Sequence, residues 1–168
     1  FNNEAYLYAA RHGINFLYEK HKRPDGSYTW VMQKTKIEDN TRHCYGMAFV
    51  LLAYAVACKN NIDKEDNQKK IYETFNFLEK YFYEEQFGMY LDVIDGNDFK
   101  KIDKYRGQNA NMHLCEALIC CYEATYDQIF LNRAIAIADK ICNKLAYQKN
   151  FIWEHYDSNW YHDWDYNK

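Results

Sequence analysis

The chain has 168 residues, 48% of them hydrophobic, with one proline, six glycines and a formal net charge of −3. That length suits a single domain over residues 1–168 with a real core, and the composition excludes a disordered chain. Charges of both signs are mixed and no basic block occurs, so a nucleic-acid partner is excluded; the longest apolar run, Gly46 to Cys58, has 13 residues, against the roughly 20 a membrane span needs.

In chain order, an amphipathic helix is predicted from about Asn3 to Lys20, with Ala9, Ala10, Gly13, Phe16 and Leu17 on one face. A Pro24-Asp25-Gly26 turn comes next, then a short alternating segment, Tyr28 to Met32. A nearly all-apolar helix runs from about Thr41 to Lys59. The order then recurs: a helix from about Lys64 to Tyr83, a β-like Phe87–Leu91, and a helix from Gln108 to about Thr125. A third round starts with a helix from about Phe130 to Ala146 and the strand-like Phe151–Glu154.

The strand-like aromatics Tyr28, Tyr90 and Trp153 lie 62 and 63 residues apart. Ala53-Tyr54 matches Cys121-Tyr122 at an offset of 68, which lays Tyr45 over His113. The repeating unit is a moderately polar outer helix, a short β excursion and an apolar inner helix, as in an α/α toroid or solenoid. About two and a half units are present, whereas six would need about 380 residues. An unpaired apolar flank is therefore expected, and a second copy of the chain is one way to cover it.

None of the six cysteines, Cys44, Cys58, Cys115, Cys120, Cys121 and Cys142, forms a C-x-x-C pair. Most fall on apolar helical faces as small hydrophobes, which favours a reduced, cytoplasmic setting. The first residue is Phe1 rather than Met, so a processed chain or a piece of a longer one is expected. Aromatics make up 18% of the chain; they suit a core first, although sugar-binding clefts are also ring-rich.

The segment Lys104 to Ala117 carries the most chemistry. Asn109, Met112, His113 and Glu116 fall at i, i+3, i+4 and i+7, one stripe of a helix. Leu114, Ala117, Leu118 and Cys121 form a second, apolar stripe. A helix apolar over so much of its circumference is buried, and a polar stripe near its N-terminus should face a polar cavity. An amide, an imidazole and a carboxylate on successive turns suit hydroxyl binding and proton transfer. The spacing His155-x6-His162, with Asp157 and Asp163, lacks helical ligand geometry and predicts no metal. His155 and Asp157 line a rim or fix a loop.

Residues 105–117, Tyr-Arg-Gly-Gln-Asn-Ala-Asn-Met-His-Leu-Cys-Glu-Ala, closely resemble the signature of the N-acylglucosamine 2-epimerase superfamily, nearest its aldose–ketose isomerase branch of mannose and sulfoquinovose isomerases. Tyr45–Ala53 resembles the family's earlier inner helix, Asp127 with Phe130–Ala134 its next outer helix, and Glu154–Trp160 with Asp165–Lys168 the segment before a later catalytic helix. The resemblance implies an all-α fold, an (α/α)6 barrel of which this chain is an incomplete portion. It implies cofactor-free proton transfer on a monosaccharide substrate. It makes Tyr45, Asn109, Met112, His113 and Glu116 the wall of the sugar pocket and brings Arg106 in as part of the signature. His113 is the expected catalytic residue, through ring opening or a bond to a substrate oxygen. The family's early arginine and its later pair of histidines have no counterpart between Phe1 and Lys168. A 2-epimerase and a non-catalytic sugar- or protein-binding remnant are the alternatives. A toroidal glycoside hydrolase is weaker, since it needs an acid opposite Glu116.

Overall fold

The computed structural model describes residues 3–146 and 151–166. Among the described residues five helices carry the fold: α1 Glu4–Phe16, α2 Cys44–Lys59, α3 Lys64–Tyr81, α4 Gln108–Thr125 and α5 Gln128–Ala138. Both α1 and α5 run on as π-helical turns, over Leu17–His21 and Asp139–Leu145. α2 and α4 lie side by side, α3 backs α2, α5 backs α4, and α1 touches α2. That is the inner–outer alternation expected of an α/α repeat.

Helix starts follow side-chain caps where the sequence supplies them. The Asn3 carboxamide accepts the Ala5 N–H, and the Asp127 carboxylate accepts the Ile129 N–H. The second cap starts α5 at Gln128, two residues before the predicted Phe130. α2 begins at Cys44 rather than Thr41, because Arg42–His43 form strand β3.

Among the described residues the β excursions are four two-stranded antiparallel ribbons. β1 (Val31–Gln33) pairs with β2 (Lys36–Asp39), and β4 (Tyr83–Glu84) with β5 (Met89–Tyr90). β3 pairs with β6 (Val93–Ile94), and β7 (Arg106–Gly107) with β8 (His155–Tyr156). The strand before each inner helix thus pairs with the β excursion of the following unit. The strand expected at Phe151–Glu154 lies one step later, at β8. Asn167 and Lys168, part of the resemblance, lie outside the described residues.

The core lies between the helices. On α4 the predicted apolar stripe of Leu114, Ala117, Leu118 and Cys121 is fully buried, against Leu51, Tyr54 and Cys58 of α2 in the same core. Each fully buried Leu contributes about 1.5–3 kcal/mol by transfer from water. α3 supplies Ile71, Phe75 and Leu78, and α5 supplies Phe130, whose ring meets Phe75 edge-on at 4.9 Å. Glu79 of α3 takes the Arg133 guanidinium of α5, clamping the outer pair. No helix among the described residues is long and apolar enough to cross a membrane.

Among the described residues, one face of the two inner helices is only partly covered. Phe49 and Val56 of α2 and Met112 and Ile119 of α4 are each 40–46% exposed. This is the expected apolar flank, and it is the face that carries the polar stripe.

Candidate functional site

The strands β3 and β7 deliver the chain into α2 and α4 at equivalent points. The residues before the helices, His43 and Gly107, are 64 positions apart, one helical turn less than the 68 expected from Ala53-Tyr54. In this register Tyr45 corresponds to Asn109, Phe49 to His113 and Leu52 to Glu116. The expected overlay of Tyr45 on His113 is thus corrected: the 68-residue offset rests on one short dipeptide match, whereas each helix start is fixed by the strand before it.

His113 nevertheless meets Tyr45. The two rings lie edge to face at 5.2 Å and 85°, and Phe49 stands 4.8 Å from the imidazole. The Tyr45 and Phe49 rings are 5.0 Å apart, so the imidazole rests in an aromatic notch. Its Nδ1 faces Glu116 Oε2 at 3.2 Å, one turn on. The His113 side chain is 24% exposed and that of Glu116 59%. The stripe is therefore neither sealed in hydrocarbon nor freely solvated. Asn109 is half-buried at the N-terminal end, and Met112 is exposed beside it.

Trp30 extends the notch. It stacks on His43 at 4.2 Å and stands edge-on to Tyr45 at 6.2 Å. Gly46 permits this approach, because a Cβ there would lie 3.0 Å from the indole. A cavity of about 240 Å³ opens between Trp30, His43, Gly46 and Phe49. A larger one of about 810 Å³ separates α1 from α2, lined by Leu7, Phe16, Leu52 and Val56, and reaches the notch only through Phe49. Its walls are mostly hydrocarbon and offer a polyhydroxyl ligand few partners.

Arg106 does not join the stripe. Its guanidinium lies against Glu84 in a two-point bridge of 2.8 and 3.0 Å and donates to the carbonyls of Asp103 and Tyr105 at 2.6 and 2.9 Å. It is nearly fully buried. Arg42 stands at the same step of the preceding repeat, equally buried, on Asp25 at 2.6 Å and the Asp95 carbonyl. Both arginines hold the strand that launches an inner helix. Asp25 responds accordingly: burial alone would raise its pKa, but hydrogen bonds from Arg42 and Ser27 outweigh this and hold it low. Arg106, expected at the sugar pocket, makes scaffold contacts here: its Nε and both terminal nitrogens donate inside the protein.

Several residues around the stripe act through contacts distant in sequence. Asn111 is fully buried on the opposite side of α4. Its carboxamide pairs with both the N–H and the carbonyl of Tyr90, each at 2.9 Å. Asp92 accepts the Gly107 N–H at 2.7 Å. His155, opposite Gly107 in β8, binds the Tyr105 hydroxyl at 2.8 Å and stacks on Tyr166 at 3.9 Å. Asp157 caps its loop through the N–H groups of Asn159 and Tyr161, so it fixes that loop. His43 is held by Thr41 at 2.8 Å, and burial lowers its pKa. No group of three or more His, Cys, Asp or Glu side chains among the described residues is arranged to hold a metal.

The chain is 44% identical over 169 aligned residues to a D-mannose isomerase of Marinomonas mediterranea, covering 99% of the chain and 42% of that protein. A crystal structure of a D-mannose isomerase superposes with a TM-score of 0.94 at 44% identity, over 99% of this chain and 42% of that one. Cellobiose 2-epimerase from Bacillus thermoamylovorans shares the fold with a TM-score of 0.83 at 19% identity, over 96% of this chain and 44% of that one. The chain thus spans about two fifths of the length of the first curated relatives it matches. The family model for N-acylglucosamine 2-epimerase matches residues 1–168, and the chain belongs to that family.

Proposed function

We propose that this chain supplies one wall of the active site of an aldose–ketose isomerase, acting on mannose or an aldose of the same shape. One observation carries the reading: an imidazole held between Tyr45 and Phe49, with an acid one turn on and an amide one turn before, on the open face of paired inner helices. The relative at 44% identity, named for mannose isomerisation, favours an isomerase over a 2-epimerase.

The chemistry needs two proton movements. The pyranose must open, which takes a proton from the O1 hydroxyl and delivers one to O5. The C2 proton must then pass to C1 through an enediol, with the O2 hydroxyl proton lost and O1 protonated. His113 handles the oxygen protons, since an imidazole is both acid and base near neutral pH. Glu116 orients the ring through Nδ1, and its exposed carboxylate takes a sugar hydroxyl. Asn109 offers a donor and an acceptor to a vicinal diol. Met112 packs on the apolar face of the sugar. The first turn of α4 aims its N–H groups toward the developing enediolate. The base that takes the C2 proton is assigned to another part of the full-length protein.

The test is turnover of mannose by the full-length protein in deuterium oxide. Fructose carrying one solvent deuterium at C1 is the expected product. A protein that neither isomerises an aldose nor exchanges a carbon-bound hydrogen contradicts the proposal.

A further inference from the structure

Asp92 lies between β5 and β6, where the chain passes beneath the first turns of both inner helices. Its main-chain carbonyl accepts the N–H of Cys44, the first residue of α2, at 2.9 Å. The repeat explains this bond, because the carbonyl of Glu154 does the same for Gln108, the first residue of α4, at 3.0 Å. The side chains differ. That of Glu154 is exposed. That of Asp92 is buried, and its Oδ2 takes the N–H of Gly107 at 2.7 Å. One residue therefore ties both helix starts together.

Those two starts carry the site. Tyr45 comes directly after Cys44, and Asn109 is two residues after Gly107, with His113 one turn further. Residue 107 is shaped for the contact: a Cβ there would lie 2.9 Å from Asp92 Oδ1 and 2.8 Å from the Tyr105 hydroxyl. The ladder pair His43–Val93 locks the next residue of the same strand. The other groups around the carboxyl oppose one another. Arg106 favours its charge, while Asp103 and Glu84 disfavour it. The Cys44 thiol and Tyr105 phenol beside it stay neutral, their pKa values raised first by burial and then by Asp92.

We propose that Asp92 is a positioning residue of the sugar reaction, fixing α2 against α4 so that Tyr45 and the Asn109–His113 stripe close on one substrate. This rests on the stripe being the sugar wall. The tie is also sensitive to pH. Burial, which outweighs the Gly107 bond and the Arg106 charge, pushes the Asp92 pKa up to about 7. Ionisation strengthens an acceptor at a helix N-terminus, so the bond to Gly107 tightens as pH rises through neutrality.

Arg106-Gly107 is the one Arg-Gly step in this sequence. Carbonyl-13C arginine with 15N glycine labels the Arg-Gly peptides of the full-length protein, and the signal lost in Arg106→Lys assigns Gly107. Across roughly pH 5 to 9, the Gly107 amide should move downfield with a midpoint near neutrality, and Asp92→Asn should flatten the curve. In mannose turnover, Asp92→Asn should remove the matching inflection from the pH profile of kcat with little change in KM. Asp92→Ala should lower kcat at least about tenfold. A flat wild-type Gly107 curve, or an inflection in kcat that survives Asp92→Asn, overturns the proposal. A protein that turns over no aldose while Gly107 still titrates overturns the sugar reading and the positioning role with it, leaving only the tie.

Discussion

α2 and α4 are the same structural part used twice, and they differ in what they show on one face. At matching positions α2 presents Tyr45, Phe49 and Leu52, whereas α4 presents Asn109, His113 and Glu116. Both are launched by a buried arginine, Arg42 or Arg106, and both take their first N–H bond from the β excursion of the following unit. The scaffold therefore tolerates either an apolar or a polar stripe. On the proposed reading the chemistry lies in three residues of α4, and α2 contributes the rings that flank His113. A repeat fixes where a side chain can point; it does not fix what the side chain is.

Exchanging the two stripes tests this directly. His113→Phe gives α4 the residue that α2 has at that level. The imidazole is only half-buried among rings, so the fold should be kept, while turnover by the full-length protein falls by about 10²–10⁴-fold, the usual contribution of a general acid–base group. Unchanged turnover at unchanged melting temperature would remove His113 from the mechanism. Next in size, Arg106→Met should act on stability. It leaves Glu84 in a largely buried site without its partner, and breaking such a pair costs about 3–5 kcal/mol. Denaturant unfolding should register that loss. An effect on KM alone would instead return Arg106 to the substrate. The smallest effect is expected of Glu116→Leu, the counterpart of Leu52. Its contact with His113 is largely exposed and worth about 0.2–1 kcal/mol, so kcat should fall by less than about tenfold.

The polar stripe is legible in the sequence because helical spacing alone aligns Asn109, Met112, His113 and Glu116. The helices are legible for the same reason, to within a few residues at their ends. What the sequence hides is long-range. β3 and β7 are two residues each and exist only through partners about 50 residues away, so nothing local marks them, and the apolar pattern starts α2 three residues early. Asp92 and Asn111 are ordinary loop and helix residues until Gly107 and Tyr90 meet them. Arg106 lies in the signature segment, and only Glu84, 22 positions back, shows that its charge is spent on the scaffold.

The most direct test of the central claim is a crystal structure of the full-length His113→Asn protein soaked with mannose or fructose. The account predicts a sugar on the open face of α2 and α4, its hydroxyls within hydrogen-bond distance of Asn109 and Glu116 and its carbon face on Met112, beside the Tyr45 ring. A sugar bound away from that face, with Asn109 and Glu116 untouched, would contradict it.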